Sequence, residues 1–214
     1  MTKIIPAVLE RELGDVQRQI NKLESFTHVV HLDVCDGVFV PTVSFHDPGQ
    51  LKLLQTAVSF EVHLMVSHPE PVLHDWLTAG RVKRVYVQAE AGDDLENVLK
   101  EIRQMGKEAG LAINMETGIE VVDRYLTEGL VDYLLLLAVK PGRQGQEHDA
   151  TVAEKVKEVK KKYPSVKVGV DGGINDLTAV PLVKAGADFL VVGSYLARAT
   201  EPKLAFASLK KVAE

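Results

Sequence analysis

Short apolar runs alternate with charged, amphipathic segments along the whole chain, and this alternation restricts the fold more than any other feature. Runs rich in Val, Ile and Leu at 4–9, 28–34, 60–65, 84–88, 111–114, 133–138, 167–170 and 189–192 read as strands. Helix-forming segments lie near 12–23, 48–56, 69–79, 93–109, 118–127, 150–163, 177–185 and 202–212. The segment from Val152 to Lys160 shows the apolar spacing of three and four that a surface helix needs. Strands separated by helices pair in parallel through crossovers. About eight such units in 214 residues predict an α/β protein of the (β/α)8 TIM-barrel type, with one domain over 1–214. No linker or low-complexity tract marks a second domain. Gly110 and Gly186 are expected to be helix C-caps.

In such barrels chemistry sits at the carboxyl ends of the strands. The stretch His31-Leu32-Asp33-Val34-Cys35-Asp36-Gly37 ends the second strand with an imidazole and a carboxylate. Side chains alternate along a strand, so His31, Asp33 and Cys35 share one face. His63 ends the third strand and Asp171 the seventh, ahead of Gly172-Gly173. His31, Asp33, His63 and Asp171 together suggest a site for one divalent metal ion. Two imidazoles and two carboxylates suit Zn²⁺, Fe²⁺, Mn²⁺ or Co²⁺ better than Mg²⁺ or Ca²⁺. Asp33 and Asp171 come from different sides of the barrel. One is placed to remove a proton from a substrate and the other to return one from the opposite face. The histidines at 28, 46, 68, 74 and 148 lack a strand-end setting or a partner, and no role is assigned to them.

Glycine-rich segments follow the last strands: Asp171-Gly172-Gly173-Ile174 and Val192-Gly193-Ser194-Tyr195. Loops after the seventh and eighth strands of these barrels often hold phosphate through backbone N–H groups. Val139 to Gln146, after the sixth strand, reads as a loop able to close over a ligand. A net charge of −5 argues against a nucleic-acid partner, and the longest apolar run, Tyr133 to Val139, is too short to span a membrane. One cysteine excludes an internal disulfide, and the first residues hold no extended apolar core of a signal peptide, so a cytoplasmic location is expected.

Chain-wide, from Ile5-Pro6 to about Leu196, the sequence resembles the ribulose-phosphate 3-epimerase family. The most specific pieces are His31 to Pro41, Val62-His63-Leu64-Met65-Val66, Pro141 to Gln146, Val170 to Ile174, and Gly186-Ala187-Asp188 leading to Val192-Gly193-Ser194. The resemblance implies that His31, Asp33, His63 and Asp171 ligate the metal and that Asp33 and Asp171 are the acid–base pair. The implied reaction inverts carbon 3 of D-ribulose 5-phosphate, through a metal-stabilised enediolate, to give D-xylulose 5-phosphate. His63, Gly142, Arg143, Gln144, Gly145, Gly172, Gly173, Gly193 and Ser194 would contact the substrate and its phosphate. Relatives often form dimers or larger assemblies, so a homo-oligomer is an open expectation.

The chain also departs from the family pattern. Ala7 stands where a serine is usual, and Gln88 where a histidine is. Arg143-Gln144 replaces an aromatic or aliphatic residue and a glycine, and Met115 replaces a proline. Of three methionines lining the metal only Met65 remains, with Cys35 and Leu137 in the other places. Cys35 is expected to be an apolar wall rather than a ligand. These changes leave two alternatives: a six-carbon ketose phosphate such as allulose 6-phosphate as substrate, or a non-catalytic sugar-phosphate-binding barrel. A lyase of the hexulose-phosphate synthase group is disfavoured, because its Asp-x-Lys-x-x-Asp motif is absent.

Overall fold

A computed structural model describes residues 1–92, 94–143 and 145–214. Eight strands, all parallel, close into a barrel in chain order. They are β1 (Lys3–Val8), β2 (Val29–Cys35), β3 (Ser59–Met65), β4 (Val82–Gln88), β5 (Glu108–Ile113), β6 (Tyr133–Leu137), β7 (Lys167–Asp171) and β8 (Phe189–Val192). The α-helices around them are α1 (Leu13–Leu23), α2 (Glu70–Thr78), α3 (Leu95–Gln104), α4 (Asp123–Thr127), α5 (Val152–Lys162), α6 (Asp176–Ala185), α7 (Ser194–Ala197) and α8 (Pro202–Ala213). Each longer helix turns an apolar stripe inward, as α1 does with Val16, Ile20 and Leu23.

Three expectations change. The segment at 48–56 forms a six-residue 3₁₀ helix, Pro48–Leu53, which stops where the backbone turns extended at Leu54. The segment at 118–127 divides into a 3₁₀ turn, Ile119–Val121, and the short α4. Gly186 does cap α6 in the left-handed conformation, with φ of 94°. Gly110 instead lies inside β5, because the reversal after α3 occurs earlier, at Gly106 with φ of 70°.

Gly110 has a packing role. A Cβ there would come within 2.2 Å of Tyr86 Cδ1, and one at Gly169 within 2.1 Å of Phe189 Cε2. The two glycines make room for two large rings that fill the barrel interior. Below them the Arg84 guanidinium lies 3.3 Å from the centroid of the Tyr133 ring. These side chains separate two cavities: one at the strand carboxyl ends, bordered by Asp33, His63 and Asp171, and one at the amino-terminal ends, bordered by Glu61, Arg84 and Tyr133.

Candidate active site

Strand register sets the geometry. On the neighbouring strands β2 and β3, His31 pairs with Glu61 and Asp33 with His63. Asp171 enters from β7, across the barrel. One ligand atom from each of His31, Asp33, His63 and Asp171 lies within 4.8 Å of all the others. Asp33 Oδ1 is 3.3 Å from His31 Nε2 and 3.4 Å from His63 Nδ1. Those three atoms are buried without an aligned hydrogen-bond partner. Each such atom costs about 1–3 kcal/mol of lost hydration. A divalent cation between them would satisfy all three at once, and imidazole with carboxylate is a donor set that fits one.

The charges are arranged for the same purpose. Burial alone would push the His31 ring toward neutrality, yet Asp33 and Glu61 outweigh it and raise its pKa to about 10. Burial opposes ionisation of Asp33 as well, but the two rings beside it hold its carboxyl well below the usual range. His63 is lowered, chiefly by burial. Asp171 moves the other way: burial, then the negative charge of Asp33, push it up to about 7. A cation must displace the protons on His31 and Asp171. Apparent Zn²⁺ affinity should thus rise about 100-fold per pH unit below pH ~7, where both protons leave, and about tenfold per unit above it. A chelator-competition titration from pH ~5.5 to ~9 measures this, and a flat profile would contradict it.

One cavity at the strand carboxyl ends is lined by Asp33, His63, Gly142, Arg143, Gly145, Asp171, Gly172, Gly173, Gly193 and Ser194, all expected site residues. Gln144 lies outside the described residues. His31 sits one layer deeper and does not line the cavity. Ala7, Met65 and Leu137 form part of the wall. Cys35 is buried against Val40 and Met65. Burial and then Asp33 push its thiol up to about 12, which keeps it a protonated, apolar wall.

Gly172 and Gly173 have φ of 118° and 64°, conformations that favour glycine. Thr42 Oγ1 donates to the Gly142 carbonyl at 2.6 Å, tying the β6 loop to the β2 loop. His148, given no role above, places Nδ1 2.7 Å from the Gly172 carbonyl and so braces the β7 loop. No local sequence signal marks that contact. Two other residues had a signal. Glu61 is a charge inside an apolar strand, two residues before His63 and hence on its face, and Gln88 ends β4 at the same level.

Residues 3–197 match the family model described as the ribulose-phosphate 3 epimerase family. The chain belongs to that family. Ribulose-phosphate 3-epimerase of Chlamydia muridarum is 36% identical over 203 residues, covering 90% of this chain and 86% of the relative. That of Bacillus subtilis is 30% identical over 218 residues, covering 98% and 99%. The crystal structure of 3-hexulose-6-phosphate synthase from Salmonella typhimurium superposes with a TM-score of 0.73 at 17% identity, covering 99% of this chain and 98% of that one. At that identity the likeness shows the barrel fold alone. Among the described residues of this family member, no helix is long and apolar enough to cross a membrane.

Proposed function

We propose that the chain is a metal-dependent isomerase that interconverts D-ribulose 5-phosphate and D-xylulose 5-phosphate by inverting carbon 3. The observation that carries this reading is the converging group of His31, Asp33, His63 and Asp171, with three orphaned atoms, toward the strand carboxyl ends of the barrel. Relatives that cover nearly all of this chain bear that enzyme's name, which favours the five-carbon substrate over the alternatives.

His31 Nε2, His63 Nδ1 and an oxygen from each of Asp33 and Asp171 would hold the ion, of which Zn²⁺, Fe²⁺, Mn²⁺ and Co²⁺ suit the donors. When bound, it supplies a Lewis acid that stabilises negative charge next to carbon 3. Asp33 and Asp171 flank the substrate from β2 and β7. One takes the proton from carbon 3, leaving an enediolate across carbons 2 and 3, and the other delivers a proton to the opposite face. The backbone of Gly172-Gly173 and Gly193-Ser194 cradles the phosphate, and Gly142, Arg143 and Gly145 of the β6 loop cover it. We place the protein in the cytoplasm, a reading supported by its one free cysteine, Cys35, and by a rice relative named as the cytoplasmic isoform.

Proton NMR of D-ribulose 5-phosphate with the metal-loaded protein in D₂O tests the reaction. Deuterium should enter carbon 3 as xylulose 5-phosphate forms. An unchanged carbon 3 proton and no product would refute it.

A further inference from the structure

An imidazole can face a cation only through a nitrogen that is free of its proton. At His31 and His63 that nitrogen is selected from outside, by hydrogen-bond chains on the far side of each ring. Arg84 Nη1 donates to Glu61 Oε2, and Glu61 Oε1 is 2.7 Å from His31 Nδ1. The carboxylate accepts only, so His31 Nδ1 keeps its proton and Nε2 is the atom left to face a cation.

On the other ring the determinant is Gln88, which is fully buried. Its amide sits among Glu90 Oε2, the Ala112 carbonyl and His63 Nε2. Glu90 and the carbonyl only accept, so the amide NH₂ faces them, at 2.8 and 3.3 Å, and the amide oxygen faces His63 Nε2 at 2.9 Å. The reverse orientation would set the amide oxygen against the Glu90 carboxylate. Glu90 is fixed in turn, because its Oε1 accepts from the Asn114 N–H and the Thr117 hydroxyl. With an oxygen opposite it, His63 Nε2 must carry the proton, and Nδ1 keeps the lone pair. The two atoms left over, His31 Nε2 and His63 Nδ1, are the ones that meet beside Asp33 Oδ1 without partners.

We propose that Gln88, oriented by Glu90, is a positioning residue that fixes His63 in the Nε2–H tautomer, while Glu61 holds the proton on His31 Nδ1, so that Nε2 is the nitrogen from which a cation displaces a proton and both rings turn their inner nitrogen to one cation. This rests on the metal-site reading above. The family pattern places a histidine at this position. An imidazole can present its neighbour with either a proton or a lone pair. The amide of Gln88, with its N–H groups engaged elsewhere, presents only an acceptor.

Ring ¹⁵N spectra of the metal-free protein at neutral pH, with Zn²⁺ affinities from chelator competition, test the idea. Wild-type His63 should be protonated at Nε2 and not at Nδ1. Gln88→Leu should populate both tautomers and bind Zn²⁺ about 10- to 100-fold more weakly. Glu90→Gln keeps Gln88 but frees its amide to turn, and should weaken Zn²⁺ binding by a smaller factor. Thermal unfolding reports separately on whether each variant is folded. If Gln88→Leu does not fold, the wild-type tautomer and the Glu90→Gln affinity decide. A proton on His63 Nδ1 in the wild type would overturn the proposal, as would a folded Gln88→Leu that binds Zn²⁺ as tightly as the wild type. A wild type that binds no Zn²⁺ would overturn the metal site itself, and the inference with it.

Discussion

Asp33→Asn and Asp171→Asn should each lower kcat for epimerisation at least about a thousandfold, within the range that loss of a positioned acid–base group produces. An amide has almost the shape of the carboxylate, so the wall of the cavity is kept while the proton acceptor is lost. The two carboxylates reach carbon 3 from opposite strands, which makes the loss directional. With Asp171 replaced, Asp33 still removes and returns a proton on its own face, and the converse holds for the other variant. Each variant should therefore retain slow deuterium uptake from one epimer only, and the two variants should differ in which epimer that is. NMR in D₂O starting separately from ribulose 5-phosphate and xylulose 5-phosphate reads both effects, at metal concentrations that keep the site filled. Conversion within about tenfold of wild type by either variant would defeat the two-base mechanism.

The site at the strand carboxyl ends is legible in the sequence because strand alternation and strand-end position are local properties. Asp33, His63 and Asp171 stand at or near the end of an apolar run, His31 lies two residues before Asp33 on the same face, and the parallel register then brings all four together. Gly110 differs from the expected C-cap because the chain reverses earlier, at Gly106, and the missing side chain at 110 instead makes room for Tyr86, 24 residues earlier and on the next strand. The 48–56 segment shows the opposite limit: its apolar spacing suits a helix, but over so few residues that spacing does not separate an α turn from the 3₁₀ turn that forms. Partners such as Gln88 with His63, or His148 with Gly172, join side chains to groups on other strands and loops. Such contacts follow from backbone placement at the level of ångströms, which apolar periodicity does not specify.

Glu61→Leu should be among the most destabilising single changes in this barrel. Glu61 is 1% exposed, and its carboxylate joins His31 on one side to Arg84 on the other. Breaking a buried ion pair by removing one partner costs about 3–5 kcal/mol, since the remaining charge stays out of water. Arg84 keeps a second partner in Glu108, at 2.6 Å, and the Tyr133 ring, so the lower end of that range applies. At 2–4 °C per kcal/mol for a chain of this size, the Tm should fall by about 10 °C. Unfolding followed by circular dichroism with excess chelator present keeps loss of metal binding out of the comparison. The double variant Glu61→Leu, Arg84→Met should recover most of the loss, because it removes the stranded charge and fills the space with apolar atoms. A Glu61→Leu protein melting within about 2 °C of wild type would mean that Arg84 is satisfied by Glu108 and Tyr133 alone. Glu61 would then serve His31 and not the fold.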